Sequence, residues 1–247
     1  MSADLDVTYP PLDIPKLVVS GVWIVDSGPH RMLGMPMPVR MTVLRLSNGD
    51  LILHSPTRFD ESLRHHLSEL GRIRHLVAPS FAHWMFLKHW QDACPDTLTW
   101  ASPGLRERSQ VQKSGLRIDR ELVGTPPMDW ADEIEQVVVP GGGGFTETAF
   151  FHRMSRTLVL TDLVVNVEPQ KLPWWMGTGA RLVGAAAPNG RAPIYLRLLV
   201  LAKRSEAAPA AARLIALNPD RVIFAHGRWF EQDAADQLKR SLAWLTG

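Results

Sequence analysis

Four apolar, strand-like runs of this sequence end in residues that bind metals or move protons. They are His54 in LILHSP, His83 just beyond HLVAPS, Asp162 in LVLTD and His226 in RVIFAHG. Imidazole nitrogen and carboxylate oxygen are the ligands zinc takes where no thiolate is at hand, and a catalytic zinc needs only three of them plus a water. Distance along the chain is no obstacle, because the carboxyl ends of parallel strands converge on one edge, where α/β proteins bind ligands. Taken singly, a strand-end histidine is more often hydrogen-bonded or exposed; only as a set do these four make a ligand group.

Other chemistries leave no such trace. PGGGGFTET lacks the lysine of a phosphate loop and the spacing of a dinucleotide fingerprint, and is expected to form a turn or a close backbone approach. There is no Gly-x-Ser-x-Gly elbow. Cys94, the single cysteine, excludes an internal disulfide and a thiolate cluster; placed before Pro95 at a helix end, it is expected to be structural. A formal charge of +2 with intermixed signs gives no electrostatic footprint for nucleic acid or acidic lipid. The hydrophobic share of 45% and charged share of 21% are those of an ordinary soluble domain with a sizeable core. The opening MSADLDVTYPPLDIPK has acids and prolines where a signal peptide needs a basic start and an apolar stretch, and no window is apolar for the roughly 18 residues of a membrane helix. The expectation is a soluble, unprocessed, cytoplasmic protein.

The elements that must position the four strand ends follow from pattern. GVWIVD (21–26) and MTVLRLSNGDLILHSP (41–56) are expected as strands, the second a hairpin with a type I′ turn at Asn48-Gly49. RFDESLRHHLSEL (58–70) predicts a helix stopped at Gly71, followed by strand 73–80, helix 84–94, strand 97–103 and a short helix over 104–113. Strands 133–142, 146–153 and 156–165 come next, the last two an antiparallel pair across the tight MSR connection. Helices 193–204 and 205–219, strand RVIFAH and helix 231–245 close the chain. PIYLRLLVL is apolar nearly all round and is expected to be a buried core helix; the alternative is an oligomerisation face. Residues 166–193, rich in Gly and Pro, are expected as an irregular loop and candidate lid. Trp174, Trp175 and Trp229 stand beside glycine- or proline-marked turns, as cleft walls or simply as large core and rim aromatics. No linker divides two cores, so residues 1–247 are expected to form one domain.

In order, the stretches LSNGDLILHSP, GRIRHLVAPSFAHWMFLKHW, FFHRMSRTLVLTDLVVN and RVIFAHG resemble the metallo-β-lactamase fold superfamily, and within it a divergent branch without an assigned function. The resemblance implies an α/β, four-layer αββα sandwich with paired metals at one edge. In that superfamily a Thr-His-x-His-x-Asp-His loop follows a strand, a later histidine follows a Pro-Gly turn, an aspartate ends a Gly-Asp strand and a Gly-His ends the last strand. Carried onto this chain, the final histidine is His226 and the bridging acid Asp162. His83 falls on the loop's last histidine, which sets Ala78, Ser80 and Ala82 on the earlier positions, or on its aspartate, which sets Pro79 and Phe81 on the first two. Both registers lack the first histidine pair, and VVPGGGGFTE lacks the later histidine. One metal's three ligands are therefore gone, and His83, Asp162 and His226 remain as the set for the other. His54, Glu147 and His152 are candidate replacement ligands or bases.

Three functions stay open at this level. The first is a hydrolase of an ester, thioester, lactone or amide that uses one divalent ion, zinc before manganese or iron, with Asp162 and His226 in the catalytic centre. The second is a metal-free descendant that binds a small molecule in the same crevice, walled by Trp174, Trp175 and Trp229. The third is a scaffold or homo-oligomer. None of the three calls for nucleic acid or a membrane.

Overall fold

A computed structural model describes residues 7–32 and 35–247 of the chain. The first sheet holds β1 (Lys16–Val19), β2 (Val22–Met32), β3 (Met35–Arg45), β4 (Asp50–His54), β5 (Arg72–Ala78), β6 (Leu98–Ala101) and β7 (Arg120–Glu121), in that spatial order. Pairing is antiparallel from β1 to β4 and parallel from β4 to β7. The second sheet is built from β8 (Ile134–Pro140), β9 (Thr146–His152), β10 (Thr157–Val159) and β11 (Arg221–Ile223), ordered β11-β10-β9-β8. Its only parallel pair is β10 with β11.

Strand alternation sorts side chains into three cores. In β4, Ile52 faces inward while Leu51 and Leu53 face out; in β9, Phe150 faces inward while Ala149 and Phe151 face out. Between the sheets, Ile24, Leu44, Ile52, Val77 and Trp100 meet Trp130, Ile134, Phe150, Val159 and Ile223. Helices α1 (Glu61–Leu70), α2 (Leu87–Ala93) and α3 (Ser109–Lys113) cover the outer face of the first sheet, burying Leu63, Leu67, Leu87, Trp90 and Val111. After α4 (Trp174–Val183), the helices α5 (Ile194–Leu201), α6 (Arg204–Ala216) and α7 (Ala234–Thr246) cover the second sheet with Leu196, Val200, Leu214, Leu238 and Leu242. The result is the expected four-layer αββα sandwich. Each of these fully buried Leu, Ile or Phe side chains contributes roughly 1.5–3 kcal/mol.

Several local expectations change. The Asn48-Gly49 hairpin forms, but only Gly49 has positive φ, at +86°. The Gly49 amide donates to the Leu46 carbonyl at 2.9 Å and the Leu46 amide to the Asp50 carbonyl at 2.8 Å. This is a three-residue loop with glycine in the left-handed position, and not the two-residue type I′ turn. The helix expected over 104–113 shrinks to Ser109–Lys113. Residues 166–193 are not irregular throughout. A 3-10 turn at Pro169–Lys171 leads into the ten-residue α4, which Gly184 ends at φ +81°. Two glycines inside the helix hid it, since glycine is the poorest helix former after proline. Gly177 is required by contact: a Cβ there would lie 2.9 Å from the Pro169 carbonyl oxygen. Helix α5 buries only one stripe, Leu196 and Val200, and leaves Ile194, Tyr195 and Leu198 exposed, contrary to the buried core helix expected.

Candidate metal centre

Two parallel strand pairs, β4/β5 and β10/β11, end at the same edge of the sandwich, one pair from each sheet. Just beyond those ends lie Ser55, the 79–83 turn, Asp162 and His226. Asp162 does not sit on a strand. β10 stops at Val159, short of the expected 156–165, because Glu147 on β9 captures the chain that follows. The Glu147 carboxylate is wholly buried and accepts from the amides of Thr161 (2.7 Å), Asp162 (2.8 Å) and Leu163 (3.0 Å). It curls those residues into a loop that delivers Asp162 to the edge. Ser80, also fully buried, pairs with Glu147 in an antiparallel bridge, and its hydroxyl donates to Asp162 Oδ2 over 3.5 Å.

Both histidines present Nε2 to the Asp162 carboxylate. His83 Nε2 lies 3.2 Å from Oδ2 and His226 Nε2 3.4 Å from Oδ1, with the two ring centroids 5.2 Å apart. One ligand atom from each residue fits in a group whose members all lie within 4.8 Å of one another. The rings are held from behind. His226 Nδ1 is 2.7 Å from the Pro38 carbonyl, which can only accept, so Nδ1 carries a proton and donates. His83 Nδ1 is 2.6 Å from Ser55 Oγ. Ser55 reaches it from the left-handed region, φ +56°, an unfavourable conformation for a residue with a side chain.

Glycine at position 227 follows from packing. Its φ is +93°, and a Cβ there would sit 2.2 Å from the Asn166 carbonyl oxygen. Asn166 and Gly227 form a parallel bridge; the Asn166 amide donates to the His226 carbonyl and the Arg228 amide to the Asn166 carbonyl. Arg40, buried on β3, clamps the other side by donating to the carbonyls of Phe224 (3.0 Å) and Gly227 (2.7 Å) while pairing with Asp26 at 2.7 Å. Burial alone would raise the Asp162 carboxyl, but the charge of His83 and hydrogen bonds from both histidines hold it well below the usual carboxylate range. Burial opposes charge on His226, and Asp162 outweighs that and raises it.

The remaining candidates separate from this trio. His54 ends β4 as expected but is fully buried against Phe150, and burial, helped by the charge of His83, pushes it down to about 3. It is a neutral core residue. Glu147 is neither a spare ligand nor a base, since its oxygens are occupied by three backbone amides; burial and the neighbouring Asp162 charge push it up. His152 ends β9, which runs antiparallel to β10, and therefore lies at the opposite edge, bonded to Ser155 Oγ at 2.7 Å. Trp175 lines a cavity with Asp162 and His226. Trp174 is 81% exposed and lines none of the site's cavities, and Trp229 packs half-buried against the cores on both faces of the second sheet and lines grooves that contain none of the trio. Sequence reasoning missed Arg40, Ser55 and Glu147's holding role. A signal existed for one: Asp26 follows the apolar run 22–25 and Arg40 stands between Val39 and Met41, opposite charges set among apolar neighbours on adjacent strands.

The model of one protein family, DUF4336, described as a domain of unknown function, matches residues 20–177. The chain belongs to the DUF4336 family. No curated protein matches the sequence. Solved structures do match in shape. A metallo-β-lactamase from Pontibacter korlensis shares 13% identity over 94% of this chain and 98% of its own, with a TM-score of 0.63. A metallo-β-lactamase from Erythrobacter litoralis with β-mercaptoethanol in its active site gives 13%, 94%, 95% and 0.63. A mutant flavo di-iron protein from Thermotoga maritima shares 12% identity over 93% of this chain and 60% of its own, at 0.62. The fold of this DUF4336 chain is thus that of the metallo-β-lactamases, as the sequence resemblance implied.

The DUF4336 chain's trio passes an independent test of fit for a divalent ion. Two Nε2 atoms and a carboxylate are zinc donors, each imidazole is oriented through its other nitrogen, and the carboxylate loop is itself hydrogen-bonded. Among the described residues no second His/Cys/Asp/Glu group of this kind is found. Two spaces adjoin His226. One, beside His30 and Phe86, is about 30 Å³, room for roughly one water. The other, under α4, is about 290 Å³ and reaches both Asp162 and His226. Among the described residues no helix is long and apolar enough to cross a membrane.

Proposed function

We propose that the chain is a hydrolase that uses one divalent ion held by His83, Asp162 and His226, acting in the cytoplasm on a small molecule with an ester, thioester, lactone or amide bond. One observation carries the reading: three donors of the right chemistry converge within 4.8 Å, and each imidazole is tied behind so that Nε2 points at the carboxylate. A bound divalent ion would supply a water of lowered pKa and a Lewis acid for the scissile carbonyl, and zinc is the first candidate for this donor set. The chain's own residues have separate tasks. Pro38 keeps the His226 proton on Nδ1, which leaves Nε2 free to bind; Ser55 orients His83; Glu147 fixes the Asp162 loop. Side-chain exposures of 5% for His226, 10% for His83 and 15% for Asp162 keep bulk water from competing for those donors. The superfamily's second ligand set is depleted here, so the chemistry is that of a single ion.

The measurement is elemental analysis of protein purified without chelator. One zinc per chain is expected, absent from His226→Ala, together with turnover of one of the four bond classes. A chain free of any divalent metal that takes none up from buffer would end this reading. A second reading has an observation of its own: both imidazoles already lie at ion-pair distance from Asp162, so the trio is electrostatically satisfied as a metal-free binding site.

A further inference from the structure

The cavity under α4 is placed and lined for one kind of guest. Residues Trp175, Met176, Gly179, Ala180 and Val183 of the helix face it, the i, i+4, i+8 and i+1, i+5 rows of one helical stripe. Val165, Val167 and Leu172 form the wall beneath, and Met37 closes it from β3. These walls are firm. Val165, Val167, Leu172, Met176 and Ala185 are themselves buried and pack as a cluster of their own. The Val167 amide donates to the Ala185 carbonyl and the Ala187 amide to the Val167 carbonyl, both at 2.9 Å. The lining is otherwise apolar apart from Asp162 and His226 and the amphipathic rings of Trp175 and Tyr195. At the surface stand Trp175 and Tyr195, exposed at 53% and 60%.

At about 290 Å³ the space sits at the small end of ligand pockets, roughly 300–1,000 Å³. Water gains little there, because a cavity with apolar walls gives it too few partners. We infer that this cavity is the substrate's binding site and that its guest is a neutral, unbranched aliphatic chain whose acyl or other carbonyl end lies against Asp162 and His226. As a statement about substrate class this rests on the hydrolase reading; as a statement about binding it does not. The other space beside His226 is about 30 Å³ against about 290 Å³, too small to hold such a chain. The guest therefore enters from the α4 side. The exposed aromatic rim suits an amphiphile whose tail arrives first.

Straight-chain primary amides from propanamide to octanamide probe the site without being charged, and calorimetry on the protein both as purified and after chelation reads their binding. The dissociation constant should fall about fourfold per added methylene, the factor set by roughly 0.8 kcal/mol per buried CH₂, until the cavity is full. Gly179→Leu is the decisive variant. Gly179 is on the cavity stripe and a Cβ there meets no atom within 4 Å, so a side chain grows into space, and replacing a helical glycine raises helix propensity. Melting temperature should hold or rise while octanamide affinity drops at least tenfold; Ala180→Leu should repeat the loss. Affinity indifferent to chain length, or unchanged in both folded variants, overturns the inference. Chain-length dependence in a protein that takes up no metal would sustain the cavity and sink the hydrolase; zinc uptake without such dependence would do the reverse.

Discussion

His226 and His152 look alike in sequence: each closes an apolar run, and each is buried. They lie at opposite edges of the sandwich. β11 runs parallel to β10, so its carboxyl end meets the ends of β4 and β5 from the other sheet. β9 runs antiparallel to β10, so His152 pairs with Thr157 at the strand's start, far from Asp162. The two edges are also built differently. Around His226 every feature serves orientation: Pro38, Arg40, Asn166 and a glycine that no other residue can replace. The His152 ring makes one hydrogen bond, to Ser155, and its buried Nε2 has no hydrogen-bond partner. Strand direction, more than residue type, decides which histidine can meet another ligand.

The glycines beside the two histidines give the largest expected contrast. Gly227→Ala adds both left-handed strain and a Cβ at 2.2 Å from the Asn166 oxygen. It should cost more than about 3 kcal/mol in urea denaturation. Gly21, packed on the His152 ring with φ +81°, offers a Cβ 3.5 Å of space, so Gly21→Ala should cost only the backbone strain, roughly 1–2 kcal/mol. Equal losses would show that the site edge is no more tightly built than its opposite.

Metal affinity separates the edges next. Asp162→Asn and His226→Ala should each weaken zinc binding more than about 100-fold, against a chromophoric chelator, since each takes away a ligand while residues that only orient ligands are worth about 10–100-fold. His152→Ala should leave it unchanged. Glu147→Gln falls between. It replaces a carboxylate that accepts three amide hydrogens with a group bringing two donors of its own. The expected loss is about 2 kcal/mol of stability and roughly tenfold in zinc affinity. A Glu147→Gln protein with wild-type affinity would show that the loop holds Asp162 unaided.

The sandwich and most of its strands were legible because short apolar runs bounded by turn residues mark strands buried on both faces: Leu51 to Leu53 of β4 and Ala149 to Phe151 of β9 are apolar throughout and divide between an inner and an outer core. The trio was legible as residue types at strand ends. What could not be read was direction and capture. Nothing in TETAFFHR says that Glu147 will take three amides of a segment 14 to 16 residues later, or that this ends β10 at Val159. Glu147 therefore looked like a spare ligand. Helix α4 was lost for a different reason, since Gly177 and Gly179 oppose helix locally and tertiary contact with Pro169 overrides them.

The smallest predicted effect contrasts the edge with the interior and turns on a sign. His75, between Trp100 and Trp130, accepts from Trp100 Nε1 at 3.1 Å, and burial pushes it down to about 4; His54 falls to about 3. An unfolded histidine titrates near 6.5. Below that value the unfolded chain binds protons these two cannot take in the fold, so stability falls as pH drops from about 6.5 toward their folded values. In the metal-free protein His226 is raised, so its contribution is complete below about 6.5 and is lost as pH rises through its folded value. Near pH 5.5, one interior histidine should account for about 1 kcal/mol of the loss. Urea midpoints across pH for His75→Gln should therefore decline less steeply on the acid side than for the wild type, while a His226→Gln curve should keep that decline and differ where the wild type holds its imidazolium. Identical acid slopes in wild type and His75→Gln would mean that His75 gains its proton without leaving the fold, and that its bond from Trp100 is weaker than its burial implies.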